Sequence, residues 1–371
     1  MFFLEKTDTG VLFAMSDLYS IKQMPEYRLF LPPVGYCDTE ESRVRRDQRK
    51  ERNRKAVEAA GLQEPKMPIT GSFIYAHPPN YKGAETINWD KKMWLQELSR
   101  LKGYGIDTVI FQAALWSELE ECYYPSEVFK NFKTWNIVEP MLEAANELKF
   151  TIFMGGYGSV TCWKERLTGS MIKEEVALQT ACFKELCRYR DQFHGFYFSP
   201  ESAYTGVRNP ELENFLAELY HGFFSEIRNA DDSLKILMSP ATFYYPETMG
   251  EMHDSWCEIF SKSHPDIIAP QDSIGCGCIT MEHQPEALKI WHDIAVDCNI
   301  EHWSNVEVFE CCAPYIDETS RCAADPDRIV LQMNNAAQYC TKLITWELLY
   351  YGNAELHPAG QPFIKRLFGN K

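Results

Sequence analysis

Eight short apolar runs recur along the chain with helical patterns between them, and this alternation limits the fold more than any other feature. The runs cover 71–75, 107–112, 150–154, 195–199, 235–239, 266–270, 302–308 and 341–346, with helical periodicity over 89–102, 135–148, 173–192, 210–229, 246–263, 284–299, 325–340 and 362–368. Helix starts carry their usual signals, Asn88 for one and Asn209-Pro210 for another. A helix between successive strands forces parallel pairing by right-handed crossovers. Eight such units close most simply into an α/β fold, the (β/α)8 TIM barrel, whose polar chemistry sits at the C-terminal ends of its strands. An open doubly wound sheet would need a glycine-rich phosphate turn after its first strand. The nearest glycines, Gly155, Gly156 and Gly158, follow the third strand and do not fit that pattern.

At 371 residues the chain accommodates one barrel, expected over 67–371, with an N-terminal extension over 1–66. The extension holds too little apolar periodicity to fold alone and is expected to pack on the barrel. Its stretch 39–60 alternates Arg43, Arg45, Arg46, Arg49, Lys50, Arg52, Arg54 and Lys55 with acids. That pattern reads as a solvated helix crossing the barrel's outside or lying at a contact within a homo-oligomer. A net charge of −16 argues against a nucleic-acid or anionic-membrane partner, because neutralising phosphates takes clustered Lys and Arg. No apolar run reaches the ~18 residues of a membrane span, and charge interrupts Phe2 to Leu4 too early for a signal peptide, so cytoplasmic residence is expected. The 13 cysteines are scattered without CxxC spacing, and most are expected to be reduced, buried thiols.

Polar residues at the strand ends are the candidates for chemistry. In the seventh strand Val306 and Val308 form the apolar outer set, which turns Trp303, Asn305 and Glu307 inward; in the fourth, Phe196 and Phe198 face out and Tyr197, Ser199 and Glu201 face in. With a barrel radius of roughly 7 Å, Cα atoms three strands apart lie about 13 Å apart, and two glutamate side chains leave a gap near 5 Å. A retaining glycosidase spaces its acid/base and nucleophile by ~5 to 5.5 Å. The alternative is that either glutamate is an ion-pair partner of Lys235, Lys342 or Arg188. Asp272, beside the seventh strand, could tune Glu307, bind a sugar hydroxyl, be the second catalytic acid or simply cap the next segment. Further candidates to line a sugar site are Tyr75 and His77 after the first strand, Gln112 after the second, Tyr157 after the third, Tyr244 after the fifth, and Trp346 and Glu347 after the eighth. A zinc site on His77 with Asp272 or Glu201 lacks HxH or HxxxH spacing, and GxSxG is absent, so no metal and no cofactor is expected.

Five segments carry a family resemblance: 69–74 (ITGSFI), 105–112 (GIDTVIFQ), 195–201 (GFYFSPE), 269–275 (APQDSIG) and 303–309 (WSNVEVF). Together they resemble the glycosidase-like TIM-barrel family numbered 4434 among domains of unknown function. The resemblance spans about residues 67–355 and leaves the extension unexplained. It implies a barrel related to retaining glycoside hydrolases, with Glu201 and Glu307 at the acid/base and nucleophile positions, and no defined substrate. Such enzymes place Asn before the fourth-strand glutamate, whereas Pro200 stands here. Three functions follow as expectations: a glycoside hydrolase on a small glycan or oligosaccharide, a carbohydrate-binding or scaffold protein on the same barrel, and a metal-dependent barrel enzyme.

Overall fold

A computed structural model describes residues 2–7, 10–15, 40–76, 85–164, 166–311 and 321–369. Eight parallel strands close into a barrel: Ile69–Ile74, Thr108–Phe111, Thr151–Gly155, Gly195–Tyr197, Lys235–Met238, Ile267–Ile268, Glu301–Glu307 and Lys342–Trp346. They are called strands one to eight below, and helices are numbered in chain order, α3 being Val138–Glu147 and α6 Glu251–Phe260. Each pairs with its neighbours in chain order, and strand eight closes on strand one through Ile344 opposite Gly71. Alternation sorts their side chains as the sequence predicts. Phe73, Ile110, Phe153, Tyr197, Leu237, Ile267, Trp303 and Ile344 fill the interior. Phe196 and Phe198 point outward, Phe196 edge-on to Phe183 of α4 (Gly169–Leu186) at 5.2 Å and Phe198 onto Phe224 of α5 (Pro210–Ala230) at 5.9 Å.

Helix starts follow capping chemistry, with one shift from expectation. Asn209 caps α5 by accepting the Leu212 N–H at 3.1 Å, with Pro210 at the first turn, as predicted. For α2 (Lys91–Gly103) the cap is Asp90, which accepts the Met93 N–H at 2.9 Å; Asn88 ends a 3-10 turn over Glu85–Asn88. Both residue types suit the position, and the intervening turn decides between them. Strands two and three also feed a small rim sheet of two-residue strands that the sequence does not announce, ordered Lys133–Thr134, Glu121–Cys122, Leu115–Trp116 and Tyr157–Gly158.

Within the extension, Phe2–Thr7 pairs antiparallel with Gly10–Met15, and α1 covers Glu40–Ala60. Helix α1 and the segment after it contact the barrel domain: Asn53 accepts the Met281 N–H at 2.9 Å, and Asn334 of α8 (Pro326–Ala336) donates to Gln63 at 2.9 Å and accepts from the Lys66 N–H at 2.7 Å. Basic side chains of α1 pair along the helix, Arg54 with Glu51 and Glu58, and Lys55 with Glu51. Such pairing is the arrangement of a solvated face. Among described cysteines Cys122, Cys162, Cys182 and Cys340 are buried thiols, whereas Cys322 is disulfide-bonded. No helix among the described residues is long and apolar enough to cross a membrane.

Two glycines separate packing from conformational effects. A Cβ on Gly155, at the end of strand three, would collide with the Phe111 and Gln112 carbonyl oxygens of strand two, whereas one on Gly103 of α2 would meet nothing within 4 Å. Gly155→Ala is expected to cost about 2 kcal/mol or more in urea unfolding, as overpacking against backbone does. Gly103→Ala is expected to be neutral or stabilising by up to about 1 kcal/mol.

Candidate active site

Glu307 ends strand seven on its inward parity and is 2% exposed. The loop that follows strand six is folded around it. Positive φ angles at Ser273 (53°) and Gly277 (77°) turn this loop back, and the Asp272 N–H donates to the Asn305 carbonyl at 3.0 Å, anchoring it on strand seven. Cys276 then reaches the carboxylate twice: its backbone N–H donates to Oε2 at 2.7 Å and its thiol to Oε1 at 3.2 Å. Gly275 permits this approach, since a Cβ there would collide with the Phe309 carbonyl and lie 2.9 Å from Glu307 Oε2.

Beneath Glu307 sits Asp272. Its Oδ1 accepts the Glu307 N–H at 3.2 Å, and its Oδ2 accepts from Gln332 of α8 at 2.6 Å and Gln284 of α7 (Gln284–Asp297) at 3.3 Å. Burial, and after it the charge of Glu307, push Asp272 up to about 7. This favours the protonated form of Asp272 beside Glu307. Arg328 completes the support by donating to the Glu307 and Phe309 carbonyls at 3.2 and 2.7 Å.

Glu201 lies on the other side of strand six. Its Oε1 accepts from Gln271 at 2.9 Å, and the same Gln271 amide nitrogen donates to the Ser239 carbonyl at 3.1 Å. Gln271 bridges in register with Asn305, whose amide donates to the Ser239 hydroxyl at 3.1 Å while its buried Oδ1 has no partner. The two lysines and the arginine named as alternative ion-pair partners have acidic partners of their own: Lys235 with Asp266 at 3.7 Å, Lys342 with Asp107 at 2.5 Å, and Arg188 with Glu185 at 3.5 Å.

The expected sugar-lining residues divide into two groups. Tyr75, Gln112 and Trp346 come together: the Trp346 indole donates to Gln112 at 2.8 Å, and Tyr75 lies edge-on to Trp346 at 6.4 Å. Trp116 and Phe309, not foreseen as site residues, extend this wall, at 6.0 Å from Tyr75 and 5.3 Å from Trp346. The other three have partners of their own. Tyr157 belongs to the rim sheet and packs on Phe129 at 5.6 Å. Tyr244 stacks on His283 at 4.0 Å and donates to Glu286 at 2.7 Å. Glu347, 1% exposed, caps α9 (Leu348–Tyr351) by accepting the Tyr350 N–H at 3.2 Å. His77 lies outside the described residues.

Two further acids escape a reading based on strand ends. Glu118 accepts the Val160 N–H at 2.8 Å, and burial pushes it up to about 7. Glu175 of α4 is enclosed by Ser159, Thr161 and Gln179 at 2.7 to 2.8 Å, and burial raises it too. Among the described residues, no group of three or more His, Cys, Asp or Glu side chains is arranged to hold a metal ion.

A family model described as "Domain of unknown function (DUF4434)" matches residues 69–354. No curated protein matches. Among solved structures, a proposed alpha-L-fucosidase from Bacteroides thetaiotaomicron superposes with a TM-score of 0.67 at 18% identity, covering 84% of this chain and 99% of its own. An endocellulase from Pyrococcus horikoshii gives 0.49 at 10% identity over 81% and 93%, and a beta-glucosidase from Thermotoga maritima 0.47 at 11% over 78% and 90%. At 18% identity the first of these is a likeness of fold.

Burial of Glu347 has a measurable cost. Its carboxyl is pushed up to about 8, and Oε2 has no hydrogen-bond partner. The folded protein thus keeps a proton that the unfolded chain releases near the ordinary value of ~4.3, so the stabilising contribution is full below that value and is lost as pH rises through 8. Glu347→Gln, which keeps an acceptor for Tyr350, is expected to flatten the fall of Tm between pH 5.5 and 8.5 by about 2 °C or more. Differential scanning fluorimetry of both proteins across that range checks it, and parallel curves would contradict the assignment.

Proposed function

The chain belongs to the DUF4434 family, and from that premise we propose that it is a retaining glycoside hydrolase in which Glu307 is the nucleophile and Glu201 the acid/base. The observation that carries this reading is that Glu307, at the end of strand seven, and Glu201, in the loop after strand four, both bond to the Gln271–Asp272 step. Donors at both Glu307 oxygens favour its charged form and fix its direction, as a nucleophile requires. Glu201 instead meets the neutral amide of Gln271.

On this reading a neutral sugar stacks on the half-buried Trp346, which Tyr75 packs against edge-on and which suits the apolar face of a pyranose. Glu307 attacks the anomeric carbon while Glu201 gives its proton to the departing oxygen; Glu201 then takes a proton from the water that releases the sugar. These steps require no metal or cofactor. Asp272 holds the Glu307 backbone, and its raised affinity for a proton moderates the charge beside Glu307.

The test is a panel of aryl glycosides assayed with wild type, Glu307→Gln and Glu201→Gln. Glu307→Gln is expected to abolish turnover of every substrate. Glu201→Gln should spare glycosides with acidic leaving groups, and azide should accelerate its slow deglycosylation. Activity of Glu307→Gln within tenfold of wild type, about 1.4 kcal/mol in barrier, excludes that nucleophile. Binding of sugars without turnover of any panel member would favour the carbohydrate-binding alternative.

A further inference from the structure

The cysteine that touches Glu307 is a part no glycosidase chemistry demands. Its backbone N–H alone would satisfy one carboxylate oxygen; the second receives a thiol. The contact is built by the fold rather than by a free-swinging side chain. Ile274 and Cys276 flank Gly275, whose lack of Cβ lets the loop press against Glu307 and the Phe309 carbonyl. The turn is closed by the Gly277 N–H donating to the Ile274 carbonyl at 3.0 Å and the Cys278 N–H to Ser273 at 2.9 Å. Cys276 itself is only partly buried, so reagents can reach it, unlike the buried Cys278.

We propose that Cys276 is a positioning residue whose thiol orients the Glu307 carboxylate and holds it in its charged form. The inference rests on the reading of Glu307 as nucleophile. A thiol is a weak donor, so it steers the carboxylate without tying up its lone pairs as a charged donor would. It also works in reverse: a carboxylate in contact with a thiol disfavours a second negative charge there, so the contact predicts a Cys276 that is slow toward electrophiles.

That reciprocity gives a test independent of any sugar. Iodoacetamide alkylates a cysteine by forming an S–C bond as iodide leaves and the thiol proton passes to solvent. Peptide mapping over time at pH 8 follows Cys276 in wild type and Glu307→Gln, with partly buried Cys187 as internal control. Removing the charge is expected to speed alkylation of Cys276 on the order of fivefold and leave Cys187 unchanged. A Cys276 rate within about twofold of wild type overturns the proposed contact. With any aryl glycoside the wild type turns over, Cys276→Ala is expected to move the acid limb of the kcat/KM profile upward by about half a unit or more and to lower kcat more than KM changes; Cys276→Ser, which restores a donor, should recover both. An unmoved acid limb in Cys276→Ala, with Glu307→Gln inactive, overturns the positioning role and leaves the nucleophile standing. An active Glu307→Gln overturns the nucleophile instead, whatever the alkylation rates show.

Discussion

Burying a carboxylate in a barrel costs several kcal/mol unless hydrogen bonds replace the lost water, and the surroundings of Glu307 are arranged around that cost. The loop after strand six brings two donors to its side chain, Asp272 takes its backbone N–H, and Gln332, Gln284 and Arg328 reach in from α7 and α8 to satisfy what lies behind. The strand supplies position, while the crossover elements supply solvation. This division explains why the loop must turn sharply at Ser273 and Gly277 and why Gly275 carries no side chain.

The two glutamates occupy unequal surroundings on the two sides of one strand end. Glu307 is enclosed and held by donors at both oxygens. Glu201 is half-buried and accepts from an amide that is shared with the Ser239 carbonyl. Pairs of acids in unlike environments are how a single site keeps one group charged while another exchanges a proton.

Much of this was legible in the sequence because barrel strands alternate. Parity in strands four and seven selects Glu201 and Glu307, and the outward Phe196 and Phe198 pack under the helices as that parity requires. The same rule applied to strand six, where Ile267 and Ala269 face the interior, points to Gln271 as the inward residue. Charge drew attention to Asp272 instead, which lies on the opposite parity and is met by glutamines of two helices. The Cys276 contact depends on backbone φ values in a loop, for which no periodic signal exists. Rim strands two residues long fall below the length at which alternation can be seen, so Trp116 and Tyr157 carried no warning of their place. Nor does a sequence distinguish a tryptophan or glutamate lining a cleft from one that is spoken for, as Glu347 is by α9.

The rim sheet has a mechanical consequence. Leu115–Trp116 and Tyr157–Gly158 come from crossovers of different βα units yet share hydrogen bonds in one sheet. A loop anchored only in its own unit can fray by itself, whereas segments zipped together open as a cooperative block. The arc of the barrel mouth above strands two and three therefore behaves as a stiff lintel, which yields as one block or not at all.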